Sequence, residues 1–430
     1  MSPLVCQSKS YQLIRVCSFN MNNSKKICCF ALLLASMTCH SMSIEDIYAD
    51  LKMCSPELIA KEASVMVAEG AIEIEKAKRL PTFSLSASGK KFASESNTVN
   101  DSQTDSEMTA NVRYTLYSFG KQSANEELRQ RKLAIEQLEL MSRSKAELKN
   151  YLINKVSVEK IQKDIQVLNS IVSLQQKMFE RVNRRAKYAF TSETDRNVVY
   201  SKLLQNKNQI RENDLKLSVL MSEIDEVACT PTLEQLNLNN IPVEETVIPV
   251  DSNDFLNSEL AVIEAKLTSK LQEVETVKLS LYPELDLKAE IPVSSDAETD
   301  ANLGFEFNVS YGNMGQTRSA ELKALEAELN ALTRELESSS FKRIEELKRL
   351  QIKIDTLQNS LINNQKRAVE SLEKKLEAKE RLFKAGRVSL FELISVYDEF
   401  LSEQLKLNST EAELKSTQIN IAANLDFVYR

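Results

Sequence analysis

The chain has 430 residues, of which 27% are charged for a net charge of −7, and it contains one histidine, His40, and no tryptophan. That balance offers no basic footprint for nucleic acid. With so little histidine, no glycine-rich phosphate loop and no cysteine cluster, the sequence presents no catalytic, metal or cofactor site, and a non-enzymatic role is expected.

The first 43 residues read as an export signal. Lys25 and Lys26 precede the apolar run "ICCFALLLASM", and Ser41 and Ser43 suit a cleavage site, with Met21 as an alternative start. The run is too short to span a bilayer as a helix. Cys39 follows a threonine where a lipoprotein signal carries a small residue, which weighs against acylation. Beyond Ser43 only Cys54 and Cys229 remain, and their plain reading is two separate buried thiols, with a periplasmic disulfide as the alternative.

Two copies of one pattern follow, offset by about 200 residues. "SPEL" from Ser55 recurs as "NSEL" from Asn257, and "RLPTFSLSAS" from Arg79 as "LYPELDLKAE" from Leu281. "SFGKQSANEEL" from Ser118 recurs as "NMGQTRSAELK" from Asn313, and "YAFTSETDRNVV" from Tyr188 more loosely as "AGRVSLFELISV" from Ala385. The first repeat covers 44–228 and the second 254–430. Between them 229–253 holds Pro231, Pro242 and Pro249 and reads as a non-helical connection.

Within each repeat two strands alternate strictly. The four are expected near 82–92, 107–118, 284–293 and 301–311. Met108, Ala110, Val112, Tyr114 and Leu116 oppose Thr109, Asn111, Arg113, Thr115 and Tyr117; Leu303, Phe305, Phe307 and Val309 oppose Asn302, Gly304, Glu306 and Asn308. Four such strands, two with several charges opposite a purely apolar face, suit lipid on one side and water on the other. Backbone groups cannot face hydrocarbon unpaired, and four strands are too few for a barrel, so several chains must share one. Without tryptophan, interface anchoring rests on Phe92, Tyr117, Phe119, Tyr282 and Tyr311.

The strands feed into helices. No Gly or Pro occurs from Lys121 to Thr230 or from Gln316 to Ala385. Helices are expected at about 121–187, 193–228, 316–384 and 390–428, the longest reaching roughly 100 Å. Leu322, Leu325, Leu329, Leu332 and Leu336, and again Leu347, Leu350, Ile354, Leu357 and Leu361, step by three and four as in a coiled-coil seam. The eleven residues from Leu336 to Leu347 form a stutter. Leu390, Ile394, Tyr397, Leu401 and Leu405 mark one apolar face of the last helix.

A duplicated strand–loop–strand–long helix–turn–helix unit behind a signal peptide resembles the TolC-type outer membrane efflux proteins, over roughly residues 44 to 428. "LPTFSLSAS", "YTLYSFGKQSA" and "FKAGRVSLFELISVYDEF" carry the likeness. The resemblance implies a mainly α fold with a small transmembrane β part: a homotrimer whose 12-stranded β-barrel continues as a periplasmic α-helical tunnel. It implies a place in the outer membrane lipid of a Gram-negative bacterium. It also implies export of substrates for a tripartite efflux pump or type I secretion system. The partners are then a periplasmic adaptor (membrane fusion) protein and an inner membrane pump, either ABC or proton-driven. Gly120 and Gly315 mark the strand-to-helix passage; Ala189, where the family has Gly, and Gly386 mark the tip turns. By position in the motif Asp195 and Glu392 match the acidic residues the family places near its periplasmic gate, and Arg387 is the nearest basic candidate, one residue out of register with the family's arginine. All three also suit plain helix-end charges. The competing readings are a periplasmic adaptor or a coiled-coil structural protein of the cell envelope.

Overall fold

The computed structural model describes residues 44–91, 104–188, 192–227, 257–292, 302–308 and 316–425. The export signal, the connection at 229–253, Phe92, Ala189, Cys229, Val309, Tyr311 and Gly315 lie outside those residues. In chain order the elements are α1 (Ile44–Cys54), α2 (Pro56–Ala77), β1 (Thr82–Lys91), β2 (Thr104–Tyr117), α3 (Lys121–Lys187) and α4 (Glu193–Val227). The second repeat supplies α5 (Ser258–Leu279), β3 (Glu284–Pro292), β4 (Asn302–Asn308), α6 (Gln316–Thr356), α7 (Ile362–Lys384) and α8 (Leu390–Asn424). A π turn, Leu357–Leu361, joins α6 to α7 without breaking the rod.

Local chemistry accounts for the helix boundaries. Pro56 occupies the first turn of α2, where its missing N–H costs nothing. Asn257 caps α5 by accepting from the N–H groups of Glu259 (2.9 Å) and Leu260 (3.3 Å). Ser389 caps α8 by accepting from Glu392 N–H (3.2 Å). At the end of α7, Gly386 takes φ 71°, its N–H reaches Phe383 O, and Arg387 N–H reaches Leu382 O, which is a Schellman closure.

The helices build a wall in two storeys. Near the sheet the packing order is α2–α3–α5–α6; farther away it is α4–α3–α8–α7. Only α3 runs through both storeys unbroken. Where the storeys meet, α1 buries Ile47 and Leu51 against Leu148, Leu152 and Val156 of α3, Ile224 of α4 and Ile419 of α8. At the far end Leu168, Met178, Val182, Val199, Leu376, Leu393 and Tyr397 form a second core shared by both helical hairpins. Cys54 is disulfide-bonded. It is the only cysteine among the described residues, so its partner lies outside them, and for Cys54 the plain reading as a free thiol gives way to a bridge.

The seam of α6 and α7 departs from the heptad expectation at one point. Leu325, Leu347, Ile354 and Leu357 are buried as the pattern predicts, but Leu361 is 42% exposed and Ile362 is buried at 7%. Ile354 and Ile362 are eight residues apart, one more than a heptad. The π turn absorbs that extra residue, after which Ile362, Val369 and Leu376 keep a regular step of seven.

Charged ties reinforce the wall. Glu139 of α3 binds Lys61 of α2 (2.6 Å) and Lys266 of α5 (2.7 Å). Glu411 of α8 binds Lys163 of α3 (3.1 Å) and lies 3.5 Å from Lys366 of α7. Partial burial works against ionisation of both acids, yet the hydrogen bonds from these lysines hold their carboxyls below the usual range. In the buried seam between α3 and α8, Asn408 donates to Asp164 (2.8 Å), which also binds Lys160 (2.7 Å).

Two outcomes follow for stability. Ile362→Ala should destabilise by roughly 2–4 kcal/mol and Leu361→Ala by less than about 1 kcal/mol, read from thermal unfolding in detergent. Equal losses would contradict the register shift. Because the folded carboxyls of Glu139 and Glu411 titrate below their unfolded values, their contribution is complete above about pH 5 and lost as pH falls through the folded values. Melting temperature should therefore drop on acidification below about pH 4, and Glu139→Gln with Glu411→Gln should flatten that acid limb while lowering the plateau at pH 7. An unchanged acid limb in the double variant would exclude these ties as its source.

Candidate conduit and its two ends

The sheet is one antiparallel array in the order β1-β2-β3-β4. Its register aligns the alternating residues of all four strands. Phe83 pairs with Val112, Val112 with Ala289, and Ala289 with Leu303; Tyr114 pairs with Leu287, and Leu287 with Phe305. One face is thus apolar from edge to edge, and it is bare: Phe83 is 78% exposed and Phe305 73%. The opposite face aligns Thr82, Arg113, Lys288 and Gly304 in one row and Ser84, Asn111, Glu290 and Asn302 in the next. Polar bonds knit that second face together. Lys288 and Arg113 (3.7 Å) both reach Glu306, and Thr115 (2.8 Å) and Asn308 (3.2 Å) donate to Asp286.

Alternation alone makes Leu116 the last member of the apolar row. Instead the β2–β3 register skips Leu116 in a bulge, and Tyr117 takes the apolar place opposite Leu285. The bulge brings Tyr117 against Phe119 (ring centroids 4.6 Å, edge-on), and Phe119 stacks on Tyr282 (5.8 Å). Three of the expected interface aromatics therefore form one belt at the end of the sheet. The passage into α3 occurs here. Phe119 (φ 50°) and Gly120 (φ 82°) turn the chain through the left-handed region, and Lys121 locks the corner onto Glu284 of β3 (2.6 Å). In the second repeat Arg318 of α6 donates to Ser280 O (2.5 Å) at the same level.

At the opposite end of the wall both hairpins turn. The structure places the three gate candidates there in different circumstances. Glu392 sits three residues after the cap Ser389, and its carboxylate is held by Lys379 of α7 within the same hairpin. Asp195, in the first turn of α4, makes no ion pair among the described residues, and neither does exposed Arg387. Nearby, the Tyr397 hydroxyl donates to Glu380, and Lys202 binds Asp398 (2.8 Å), tying α8 to α7 and α4. Burial, aided by Glu380, pushes the Tyr397 phenol far above its ordinary value. The Tyr397–Glu380 and Lys202–Asp398 ties, the bulge and the π turn went unread in the sequence. Only the π turn left a trace there, in the eight-residue spacing. Among the described residues no group of three or more His, Cys, Asp or Glu side chains is arranged to hold a metal ion, and no helix is long and apolar enough to cross a membrane.

A lipid-suited sheet continuous with a two-storey helical wall defines the architecture: one apolar-faced antiparallel sheet carried on a long helical stem. The profile of the outer membrane efflux protein family matches residues 48–218, most of the first repeat. Three solved structures share the fold across 89% of this chain. They are the CmeC outer membrane channel of Campylobacter jejuni (TM-score 0.73, 14% identity, 85% of that chain), CusC (0.71, 13%, 91%) and the outer membrane protein VceC of Vibrio cholerae (0.69, 14%, 96%). No curated protein sequence matches this chain. The resemblance to TolC-type outer membrane efflux proteins drawn from the residues therefore holds in the first repeat by sequence and across the chain by fold.

Facing can be tested directly. Phe305→Arg should cost roughly 2–4 kcal/mol in membrane assembly, whereas Asn111→Arg on the polar face should cost little. Equal yields of heat-modifiable, membrane-inserted protein from the two variants would refute the assignment.

Proposed function

We propose that this chain is one third of an outer membrane channel-tunnel. On this reading it exports substrates from a tripartite efflux pump or type I secretion system across the periplasm and outer membrane of a Gram-negative bacterium. The observation that carries the reading is the open sheet. It has an apolar outer face, a polar inner face and two strand edges, β1 and β4, without a neighbour among the described residues. Such a sheet is stable in lipid only when its edges close.

The helical wall asks for the same closure. In the near storey α2 leaves Met66, Val67 and Ile74 exposed at one edge, and α6 leaves Phe341 exposed at the other, with Ile352 exposed farther along where α6 packs on α8. In the far storey α4 leaves Leu204, Leu215 and Val219 exposed. Apolar stripes at both edges of a wall favour a ring of copies related by rotation. Three copies give twelve strands, an even number within the range of single-lumen membrane barrels.

The turn end, with Asp195, Arg387 and Gly386, is then the periplasmic gate region and the surface toward an adaptor protein and an inner membrane pump. A periplasmic adaptor fits less well, because the described chain carries two helical hairpins and its strands form a single lipid-suited sheet. A purely structural coiled coil leaves the sheet without a purpose.

Native mass spectrometry of the detergent-solubilised protein should show a homotrimer, and planar bilayers should show discrete channel openings. A stable monomer without conductance would remove this reading.

A further inference from the structure

The turn end is locally cationic in a chain that is acidic as a whole. The whole sequence is acidic, yet residues 177–199 hold six cations against three carboxylates, and residues 377–392 hold four against three. Local pairing then uses up most of the acids. Arg196 lies 3.5 Å from Glu193, Lys379 holds Glu392, Arg381 lies 3.8 Å from Glu377 and Lys384 3.9 Å from Glu380. Left without an ion pair among the described residues are Lys177, Arg181, Arg184, Arg185, Lys187 and Arg387, opposed only by Glu180 and Asp195.

Their placement is not random. Steps of three and four put Lys177, Arg181, Arg184 and Arg185 on one stripe of α3 that ends in Tyr188, which is 75% exposed. The other face of the helix buries Gln175, Met178 and Val182. In this storey α4 and α8 cover the two flanks of α3. The stripe therefore lies at neither edge of the wall and looks out from its surface. Cations in a last helical turn suit the macrodipole, which accounts for Arg184, Arg185 and Lys187. That effect fades within one turn, so it does not reach Lys177 and Arg181. A solvated surface ordinarily mixes both signs evenly, whereas this stripe sets four cations against the single carboxylate of Glu180.

We propose that these cations make the turn-end mouth of the conduit an anion-attracting entrance, favouring anionic over cationic solutes. The inference rests on the conduit reading above, in which three copies of the stripe surround one opening. Field from a cluster of uncompensated charge extends about 8 Å at physiological ionic strength and raises the local concentration of counter-ions. The two acids matched to the family's gate do not reverse the sign: Glu392 is held by Lys379, and Asp195 is one carboxylate in a span of six cations.

The test uses the full-length protein in planar bilayers with a potassium chloride gradient. Hexacyanoferrate(II) is the anionic blocker and hexaamminecobalt(III) the cationic one. The expected results are a reversal potential favouring chloride and block by hexacyanoferrate from the helical side at concentrations about tenfold lower than from the barrel side. Arg181→Gln, Arg184→Gln and Arg185→Gln together should weaken that block about tenfold without shifting trimer melting. If the triple variant does not assemble, Lys177→Gln with Arg181→Gln carries the same comparison. Potassium preference in the wild type, tighter block by the cobalt complex, or block indifferent to the substitutions would overturn the proposal. Unchanged block combined with lost binding of a polyglutamate peptide would place the stripe on the outer surface as a docking site for an acidic protein, and overturns it equally. Absence of any channel sinks the conduit reading itself, so the two failures are distinguishable.

Discussion

The constraint on which everything else depends is the unpaired strand edge. A backbone N–H or C=O left without a partner in hydrocarbon costs several kcal/mol, so a membrane sheet must close on itself. Here the four strands present an uninterrupted apolar face but stop after β4. The chain has a surface that belongs in lipid and an edge that lipid forbids. On the channel reading proposed above, oligomerisation resolves the conflict by pairing β1 of one copy with β4 of the next.

The helical wall extends that logic over a much greater length. A sheet that closes through neighbouring copies fixes the angular share of each chain, so the helices below must form an arc of matching width. Alternating partners along α3 supply it: α2 and α5 flank this helix near the sheet, α4 and α8 farther away. Switching partners midway demands one continuous helix, which explains why 67 residues run from Lys121 to Lys187 without Gly or Pro. On the other side the rod of α6 and α7 meets the same need with a π turn, which lets two stretches of heptad packing keep one buried stripe.

Much of this was legible because the two periodicities are so distinct. Strict alternation over β2 and β4, and breaker-free runs of Leu, Glu and Lys, announce strand and helix whatever their partners. Other features depend on contacts between distant residues and left weak marks or none. Leu116 and Tyr117 are both apolar enough for the lipid face, so only pairing with β3 decides which one takes it. Leu361 and Ile362 are adjacent and interchangeable in a pattern; the choice falls to the packing of α7 on α8. At the turn end Asp195, Arg387 and Glu392 were visible as a motif, but that Glu392 is paired depends on Lys379, thirteen residues earlier on the neighbouring helix. Ala189 and Gly315 lie outside the described residues, and their roles rest on the repeat alone.

The most direct measurement of the central claim is a cross-link across the forbidden edge. Cysteine at Ser86 in β1, paired in turn with cysteine at each position from Asn302 to Asn308 in β4, should oxidise between chains in outer membranes. At the correct register the products on a denaturing gel should be a ladder of one, two and three chains that stops at three. A ladder that continues past three, or cross-links confined to single chains at every register, would contradict closure of the sheet through three copies.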